Sequence, residues 1–243
     1  MYKALLTSNN AKTIKGEKYG YHTMVLYLTP SDFSEVVDLC PFAKIAGCGL
    51  DKTCLYHAGR GRMSTVIQGR LRKTLLFHHD KVRFFKDLVF DINKSKLEAL
   101  HFDKKLAVRL NGTSDIVWEK YEVEHEGKTY KNIFELFPDV QFYDYTKISK
   151  RDTSIPNYDL TFSYSGTKAF RPFVEQALQN NMRMAVVFRS KDLPEYFMGK
   201  RVITGDDSDI RFTEPQNVVV GLYAKGKAIK DTTGFVVDVE MTK

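Results

Sequence analysis

Six short, mostly apolar segments beyond residue 100 constrain the fold of this chain most, because each is followed directly by polar residues. They occupy residues 106–110, 140–143, 158–162, 184–188, 201–204 and 218–223. Nearly continuous apolar runs of this length are typical of strands buried on both faces, and helical sequences such as residues 168–180 lie between them. We therefore predict an α/β fold of mainly parallel strands in βαβ units. Because no linker or repeat divides the chain, we expect a single domain over residues 1–243.

Polar side chains follow several of these predicted strands at the point where each strand ends. In α/β barrels and in open α/β sheets, ligands bind at the carboxyl ends of the parallel strands. We therefore expect these side chains to lie along one edge of the sheet and to take part in function. They are Asn111, Ser114, Asp115, Asp144, Lys147 and Ser163.

A cysteine-rich segment follows the first predicted strand, residues 22–29. It contains all three cysteines of the chain, spaced as Cys40-x7-Cys48-x5-Cys54. Three thiols cannot all pair as disulfides, and nearby turn formers allow the chain to fold several sulfurs around one centre. The turn formers are Pro41, Gly47 and Gly49. We predict that residues 40–62 form a metal or cluster loop; the alternative is that the three cysteines are ordinary buried residues.

Two kinds of metal centre fit these cysteines. Zinc would take His57 as a fourth ligand in a closed tetrahedral shell, as in three-cysteine, one-histidine zinc fingers that bind RNA. An iron–sulfur cluster would take the three cysteinates as ligands and leave one iron open for an exogenous ligand. Both possibilities remain open at the level of the residues.

Positive charge is concentrated in residues 52–83. This segment has eight basic residues and one acid, an excess equal to the net charge of +7 of the whole chain. It is either a solvated helix face or a site for a phosphate, a nucleic acid or an anionic cofactor. Arg60 and Arg62, just after the third cysteine, are candidates to meet a carboxylate or phosphate. A helix is predicted over residues 80–100, with Asp80 as its N-cap.

An acidic run, Asp206, Asp207 and Asp209, follows the fifth of the predicted strands. Carboxylate oxygens are suitable ligands for a divalent cation. The alternative is an acidic turn that pairs with Arg201 or Arg211.

Several classes of protein lack their signatures here. The chain has no glycine-rich phosphate loop with Lys-Ser/Thr, no GxGxxG turn and no GxSxG elbow, so P-loop and serine hydrolysis are unsupported. Its apolar stretches are far shorter than the roughly 20 residues of a membrane span. Residues 1–18 lack the apolar core of a secretory signal. We therefore expect a cytoplasmic protein with no membrane partner.

Four stretches of the sequence resemble an uncharacterised family of tailed-phage gene products. They are residues 40–62, 108–115 (VRLNGTSD), 142–147 (FYDYTK) and 221–227 (GLYAKGK). The resemblance extends over most of the chain. It implies that the protein acts in the cytoplasm of an infected bacterial host.

A second family of phage-associated proteins, related to radical S-adenosylmethionine proteins, is more distantly similar. It has a three-cysteine loop after its first strand, then an Asn-x-x-Ser-Asp strand end, then a Leu-Thr-Lys-Arg-like strand end. The matching positions here are the three cysteines, residues 111–115 and residues 145–147. The similarity implies a partial β/α barrel with a [4Fe–4S] cluster at its mouth and S-adenosylmethionine on the fourth iron.

From the residue patterns and the similarity together, we expect the following roles for individual residues. Asp115, Asp144 and Lys147 would act in catalysis. Cys40, Cys48 and Cys54 would hold the cluster, and His57 would join them in the zinc alternative. The cofactor-binding residues would be Asn111, Ser114, Ser163, Arg60 and Arg62.

Three functions follow from these observations. The first is an iron–sulfur enzyme of the radical S-adenosylmethionine type that modifies a nucleotide, a nucleic acid or a protein. The second is a zinc-stabilised protein that binds nucleic acid through residues 52–83. The third is a barrel enzyme that modifies DNA bases, with Asp115 and Asp144 as nucleophile and acid/base partner in one pocket.

Overall fold

Both strands and helices are present in a computed structural model, which describes residues 2–8, 14, 16–48 and 59–239, without the side chains of residues 59 and 60. The strands are β1 (Leu6–Thr7), β2 (Tyr21–Leu26), β3 (Lys105–Arg109), β4 (Val123–His125), β5 (Lys128–Tyr130), β6 (Gln141–Thr146), β7 (Tyr158–Ser163), β8 (Met184–Phe188), β9 (Tyr196–Phe197), β10 (Lys200–Thr204), β11 (Val219–Tyr223) and β12 (Val236–Val237). The α-helices are α1 (Ser64–His79), α2 (Lys81–His101), α3 (Ile133–Leu136) and α4 (Arg171–Gln179).

The central sheet is mostly parallel. Its strand order is β1-β2-β3-β6-β7-β8-β11-β10-β9, and β12 pairs with the end of β8. Only the outermost pairs, β1 with β2 and β9 with β10, are antiparallel within this sheet. The predicted α/β fold with mainly parallel strands is therefore confirmed. The path of described strands has two ends and forms no closed barrel, so the barrel remains a hypothesis.

The two faces of the sheet carry different side chains because successive residues of a strand point to opposite sides. On one face, Phe142 of β6 packs on Phe134 of α3, with 5.0 Å between ring centroids. On the other face, Tyr143 packs on Phe212, with 5.4 Å between centroids. Helix α3 thus packs on the first face at β6, and a segment that follows β10 packs on the second.

Helix α2 forms where the sequence predicts it. The Asp80 side chain accepts a hydrogen bond of 2.9 Å from the Arg83 backbone N–H and so caps the helix. The apolar residues of its predicted stripe are buried, namely Phe85, Leu88, Val89 and Ile92. None of the helices formed by the described residues is long and apolar enough to cross a membrane.

Candidate functional site

A cavity of about 300 Å³ lies at the carboxyl ends of the parallel strands. Its walls are residues that end or follow β3, β6, β7, β8 and β11, together with residues of the cysteine loop. The predicted site residues that line it are Cys40, Cys48, Asn111, Ser114, Asp115, Lys147 and Ser163. The topology thus brings together residues that are far apart in sequence, while their roles stay predictions.

The other predicted site residues lie elsewhere. Among the described residues, Asp144 and Arg62 do not line the cavity; Asp144 is buried and Arg62 is exposed. Cys54, His57 and the side chain of Arg60 lie outside the described part of the chain.

The cysteine loop is held to the strand ends by hydroxyl groups. The carbonyl oxygens of residues 45, 46 and 47 accept hydrogen bonds from the hydroxyls of Thr167, Ser165 and Thr233. The oxygen–oxygen distances are 2.7, 2.8 and 3.2 Å, respectively. Because Ser165 and Thr167 follow β7 and Thr233 precedes β12, the backbone between Cys40 and Cys48 is fixed by two separate segments.

Two further features fix the same loop. The Asp115 backbone N–H donates to the carbonyl of Leu39, which precedes Cys40, at 2.7 Å. Gly47 has a φ of +69°, and a Cβ there would lie 2.5 Å from the Thr233 Oγ1 atom. A side chain at position 47 would therefore be strained and would also displace the Thr233 hydrogen bond.

The side chains of Cys40 and Cys48 line this cavity. Cys40 is partly exposed and Cys48 is buried. No group of three or more His, Cys, Asp and Glu side chains in the described ranges is arranged to hold a metal ion. Since Cys54 and His57 fall outside those ranges, the predicted metal centre stays a prediction.

The Asn111 side chain organises the turn after β3. Its Oδ1 atom accepts hydrogen bonds from the Ser114 hydroxyl (2.9 Å), the Ile116 N–H (2.9 Å) and the Trp118 Nε1–H (3.0 Å). Its amide nitrogen donates to the Ile116 carbonyl at 3.0 Å. Asn111 and Ser114 therefore shape the cavity wall, since their polar atoms are largely engaged with each other and with the turn.

Arg151 is the centre of a buried cluster of charges. Its guanidinium contacts Glu119 through two hydrogen bonds of 2.6 and 2.7 Å and lies 3.4 Å from an Asp115 carboxylate oxygen. It also donates to the Tyr158 hydroxyl at 3.0 Å, and this hydroxyl donates to Asp144 at 2.9 Å. We call these five residues the Arg151 cluster.

Both predicted catalytic carboxylates belong to the Arg151 cluster. Asp144 also accepts a 2.6 Å hydrogen bond from the Asn111 N–H, and burial raises its pKa to about 7 against the opposing charge of Arg109. The other Asp115 oxygen accepts a 2.7 Å hydrogen bond from the Lys147 N–H, and burial also raises the pKa of Asp115. Only Asp115 reaches the cavity, so the two carboxylates do not converge in it.

A second buried ion pair lies on the inner side of the cavity. Arg109 donates to Asp209 at 2.7 Å and lies over the Tyr145 ring, 4.6 Å from its centroid. The Tyr145 hydroxyl donates to the other Asp209 oxygen at 3.0 Å. Burial and the Asp209 charge raise the pKa of Tyr145, so this hydroxyl stays protonated.

Lys147 extends along the cavity wall and is buried. Its ammonium donates to the Ser163 hydroxyl at 2.9 Å and lies 4.9 Å from the centroid of the Phe235 ring. Within the described ranges, no carboxylate lies at ion-pair distance from this ammonium.

Comparison with protein families matches residues 4–239 to the family described as Gene product 88. The chain belongs to the Gene product 88 family. The predicted membership of a phage-type gene-product family is thereby confirmed. The comparisons give no support to the more distant resemblance to radical S-adenosylmethionine proteins, which stays a hypothesis. They found no match among curated proteins or among solved structures.

The basic segment of this Gene product 88 protein is not one exposed face. Arg70 and Lys73 on α1 are only 9% and 7% exposed. Lys73 donates to the Leu5 carbonyl at 3.0 Å, and burial beside two arginines lowers its pKa to about 7. Arg72 donates to the Ala4 carbonyl at 3.3 Å. Lys73 and Arg72 therefore help to hold the segment that leads into β1, whereas Arg70 lies over the Tyr27 ring, 5.3 Å from its centroid. Nucleic-acid binding by residues 52–83 stays a prediction.

The acidic run of the Gene product 88 chain has different partners from those expected. Asp209 pairs with Arg109, and Asp206 accepts a 2.6 Å hydrogen bond from Lys225. Arg211, one of the two expected partners, pairs instead with Glu214 at 2.6 Å. Sequence reasoning named Asp209 as a possible cation ligand or turn residue, without its partner Arg109, and it missed Arg109 and Arg151. Each follows or ends a predicted strand, but nothing local shows which distant charge it meets.

Proposed function

We propose that this protein is an iron–sulfur enzyme, resembling radical S-adenosylmethionine proteins, that modifies a nucleotide, a nucleic acid or a protein. One observation carries the proposal: Cys40 and Cys48 face the same cavity as Asp115, Lys147 and Ser163. A cavity that combines apolar walls with a few convergent polar groups at the carboxyl ends of parallel strands is the usual place of an active site in α/β proteins.

The donor set fits a thiolate-bound cluster. Two cysteine side chains line one cavity, and hydrogen bonds from three hydroxyls fix the loop that carries them. We propose Cys54 as the third ligand. When bound, a [4Fe–4S] cluster would supply the electron that cleaves S-adenosylmethionine.

The order of the strands supports a partial barrel. The parallel strands β2, β3, β6, β7, β8 and β11 are neighbours in the same order as in the chain. In doubly wound open sheets the strand order reverses near the middle, at the point where ligands bind. Among the described strands, the chain order is reversed at one end of the sheet, where β11, β10 and β9 follow β8. A sheet without a central reversal is consistent with a barrel-like curvature.

The chain's own residues would have separate roles in such an enzyme. Asn111 and Ser114 form part of the cavity wall and are hydrogen-bonded to each other. The Asp115 carboxylate accepts a hydrogen bond from the Lys147 backbone N–H. Lys147 and Ser163 present polar groups to the cavity. Asp144, which does not line the cavity, is better explained as a positioning residue for Tyr158 and Asn111 than as an acid or base.

The proposal is tested by the metal content of the full chain purified without oxygen. We expect about four irons and four acid-labile sulfides per chain, with broad visible absorbance. Cys40→Ala and Cys48→Ala should each lose most of the iron. Ser163→Ala is the matched control, because it alters the same cavity and keeps all three cysteines.

Two results would contradict the proposal. One is an unchanged iron content in Cys40→Ala. The other is one zinc without sulfide in the wild-type protein, which would favour the zinc alternative. The alternatives have less support from the described residues, because Arg70 and Lys73 are buried and Asp144 lies outside the cavity.

A further inference from the structure

Lys147 is a cation that forms no ion pair with the described residues, although the Asp115 carboxylate attracts it from a greater distance. Its side chain is on the cavity wall, and the residue is 6% exposed. Its ammonium donates to the Ser163 hydroxyl at 2.9 Å and to the Ser163 carbonyl at 3.4 Å, and it lies over the rings of Phe170 and Phe235. No carboxylate from the described part of the chain is at ion-pair distance.

The cavity as a whole has an excess of positive charge. It is lined by four cationic side chains, Arg109, Lys147, Lys225 and Lys227, and by two carboxylates, Asp115 and Asp206. Both carboxylates already have cationic partners, Arg151 for Asp115 and Lys225 for Asp206. Arg109 is paired with Asp209. Lys147 and the exposed Lys227 are thus the lining cations without a carboxylate partner among the described residues.

An unpaired ammonium in a buried position lowers the stability of a folded protein. Hydrogen bonds and aromatic faces compensate only part of the lost hydration of the charge. A group of this kind is retained more readily where a ligand supplies the missing opposite charge. Ser163 adds a second donor, because its oxygen accepts from Lys147 while its own proton has no acceptor among the described residues.

We propose that the cavity contains a subsite for an oxyanion, the carboxylate or phosphate of a small ligand, which pairs with the Lys147 ammonium and the Ser163 hydroxyl. Lys227 at the exposed rim attracts the same charge. The proposal rests on the proposed function only in placing the ligand in this cavity, and it does not require a cluster.

The remaining walls indicate the body of the ligand. Val187, Leu222, Tyr223 and Phe235 give the cavity an apolar and aromatic lining on the side of β8 and β11. A volume of about 300 Å³ is at the small end of ligand pockets. The ligand is therefore a compact molecule with an apolar or planar body and one anionic end.

The test is thermal unfolding of the full chain with inorganic phosphate, acetate or adenosine monophosphate, at an ionic strength matched with chloride. Adenosine serves as the uncharged probe. At least one oxyanion should raise the midpoint temperature of the wild type, and Lys147→Met should weaken its apparent affinity at least tenfold. A response to phosphate and adenosine monophosphate only indicates a phosphorylated ligand, and a response to acetate indicates a carboxylate.

Lys81→Met is the matched control. This lysine also lies over a phenylalanine ring, that of Phe77 at 5.4 Å, but it is exposed and does not line the cavity. Its replacement should leave the response to oxyanions unchanged. Without added oxyanion, Lys147→Met should be at least as stable as the wild type, because it removes an unpaired buried charge.

Three results would overturn the subsite: no response of the wild type to any oxyanion, a response that Lys147→Met preserves, or a clear destabilisation of ligand-free Lys147→Met. The same titration on Cys40→Ala separates this inference from the iron–sulfur proposal. Because no cysteine belongs to the subsite, oxyanion binding should persist in that variant even when iron is lost.

Discussion

Two polar networks lie side by side at the carboxyl ends of the strands, and they differ in how fully their charges are matched. In the Arg151 cluster, one guanidinium contacts two carboxylates and a tyrosine hydroxyl, which in turn donates to Asp144. At the cavity wall, the Lys147 ammonium contacts the Ser163 hydroxyl and carbonyl and two aromatic rings, with no carboxylate of the described residues at ion-pair distance. A network that is satisfied internally stabilises the fold, whereas an incomplete one is where a ligand is expected.

The strongest test of the satisfied network is Arg151→Met. The variant would leave Glu119 and Asp115 buried without their cation, and breaking a buried ion pair in this way costs about 3–5 kcal/mol. We expect a loss of this size in the free energy of unfolding, measured by denaturant titration. Arg171→Met is the control, since Arg171 pairs with Glu175 at the surface and its loss should be hardly measurable. Equal effects of the two variants would contradict the structural role of the cluster.

The pH dependence of stability tests whether Asp144 is kept neutral inside this cluster. Its pKa is about 7 in the folded protein and about 4 in an unfolded chain. Between these values the folded protein holds one more proton, so this carboxyl lowers the free energy of unfolding as the pH rises. The Asp144→Asn variant lacks this carboxyl, so its free energy of unfolding does not fall for this reason as the pH rises. The stability of the variant relative to the wild type should therefore rise, by on the order of 1–3 kcal/mol, from pH 4 to pH 7.

Asp152→Asn is the control for that measurement. Hydrogen bonds from Ser154 lower the pKa of Asp152, so ionised Asp152 contributes stability that is lost as the pH falls. The wild type should then lose stability relative to Asp152→Asn on acidification, and only slightly, because the group is exposed. A difference between Asp144→Asn and the wild type that does not change with pH would show that Asp144 is ionised in the fold.

The sequence predicts the local features of this molecule well and its long-range pairs poorly. Residues 184–188 are predicted as a strand with the observed limits, and Asp80 is predicted and found as an N-cap. Both depend on the periodicity and chemistry of neighbouring residues. The partners of Arg109 and Arg151 depend on which strands become neighbours, and that information is spread over the whole chain. Lys73 is a further example, since its ammonium bonds the carbonyl of Leu5, a residue far away in the sequence.

The hydroxyls that hold the cysteine loop connect the thiols to the strand ends, and their removal should have a smaller effect. Ser165→Ala deletes a hydrogen bond to the Ala46 carbonyl, which is worth about 1 kcal/mol. Thr233→Val removes a hydroxyl whose proton is shared between the Gly47 carbonyl at 3.2 Å and the Asp231 carboxylate at 2.7 Å. If the loop holds a cluster, both variants should also release iron to a chelator faster than the wild type. Thr213→Val removes a similar hydroxyl–carbonyl bond, to Ile210, and should not change iron release. Equal release by all three variants would show that the loop is not positioned by these contacts.

The smallest effect is expected for DNA binding by the basic segment, residues 52–83. The sequence predicts an anion site there, whereas its exposed charges are scattered in the structure. In the described part of the basic segment, three basic residues are exposed and can contact a phosphate backbone: Arg62, Lys81 and Arg83. Arg83 is already paired with Asp87, so replacing all three by Gln should change DNA retention little at physiological salt. If these residues do bind nucleic acid, the salt dependence of the affinity should instead fall by nearly one log unit per lost phosphate contact. Such a result would indicate that the anionic partner binds at the helix surface instead of in the cavity. The unpaired charge of Lys147 would then need another explanation, and the contrast between the two networks would no longer point to a ligand.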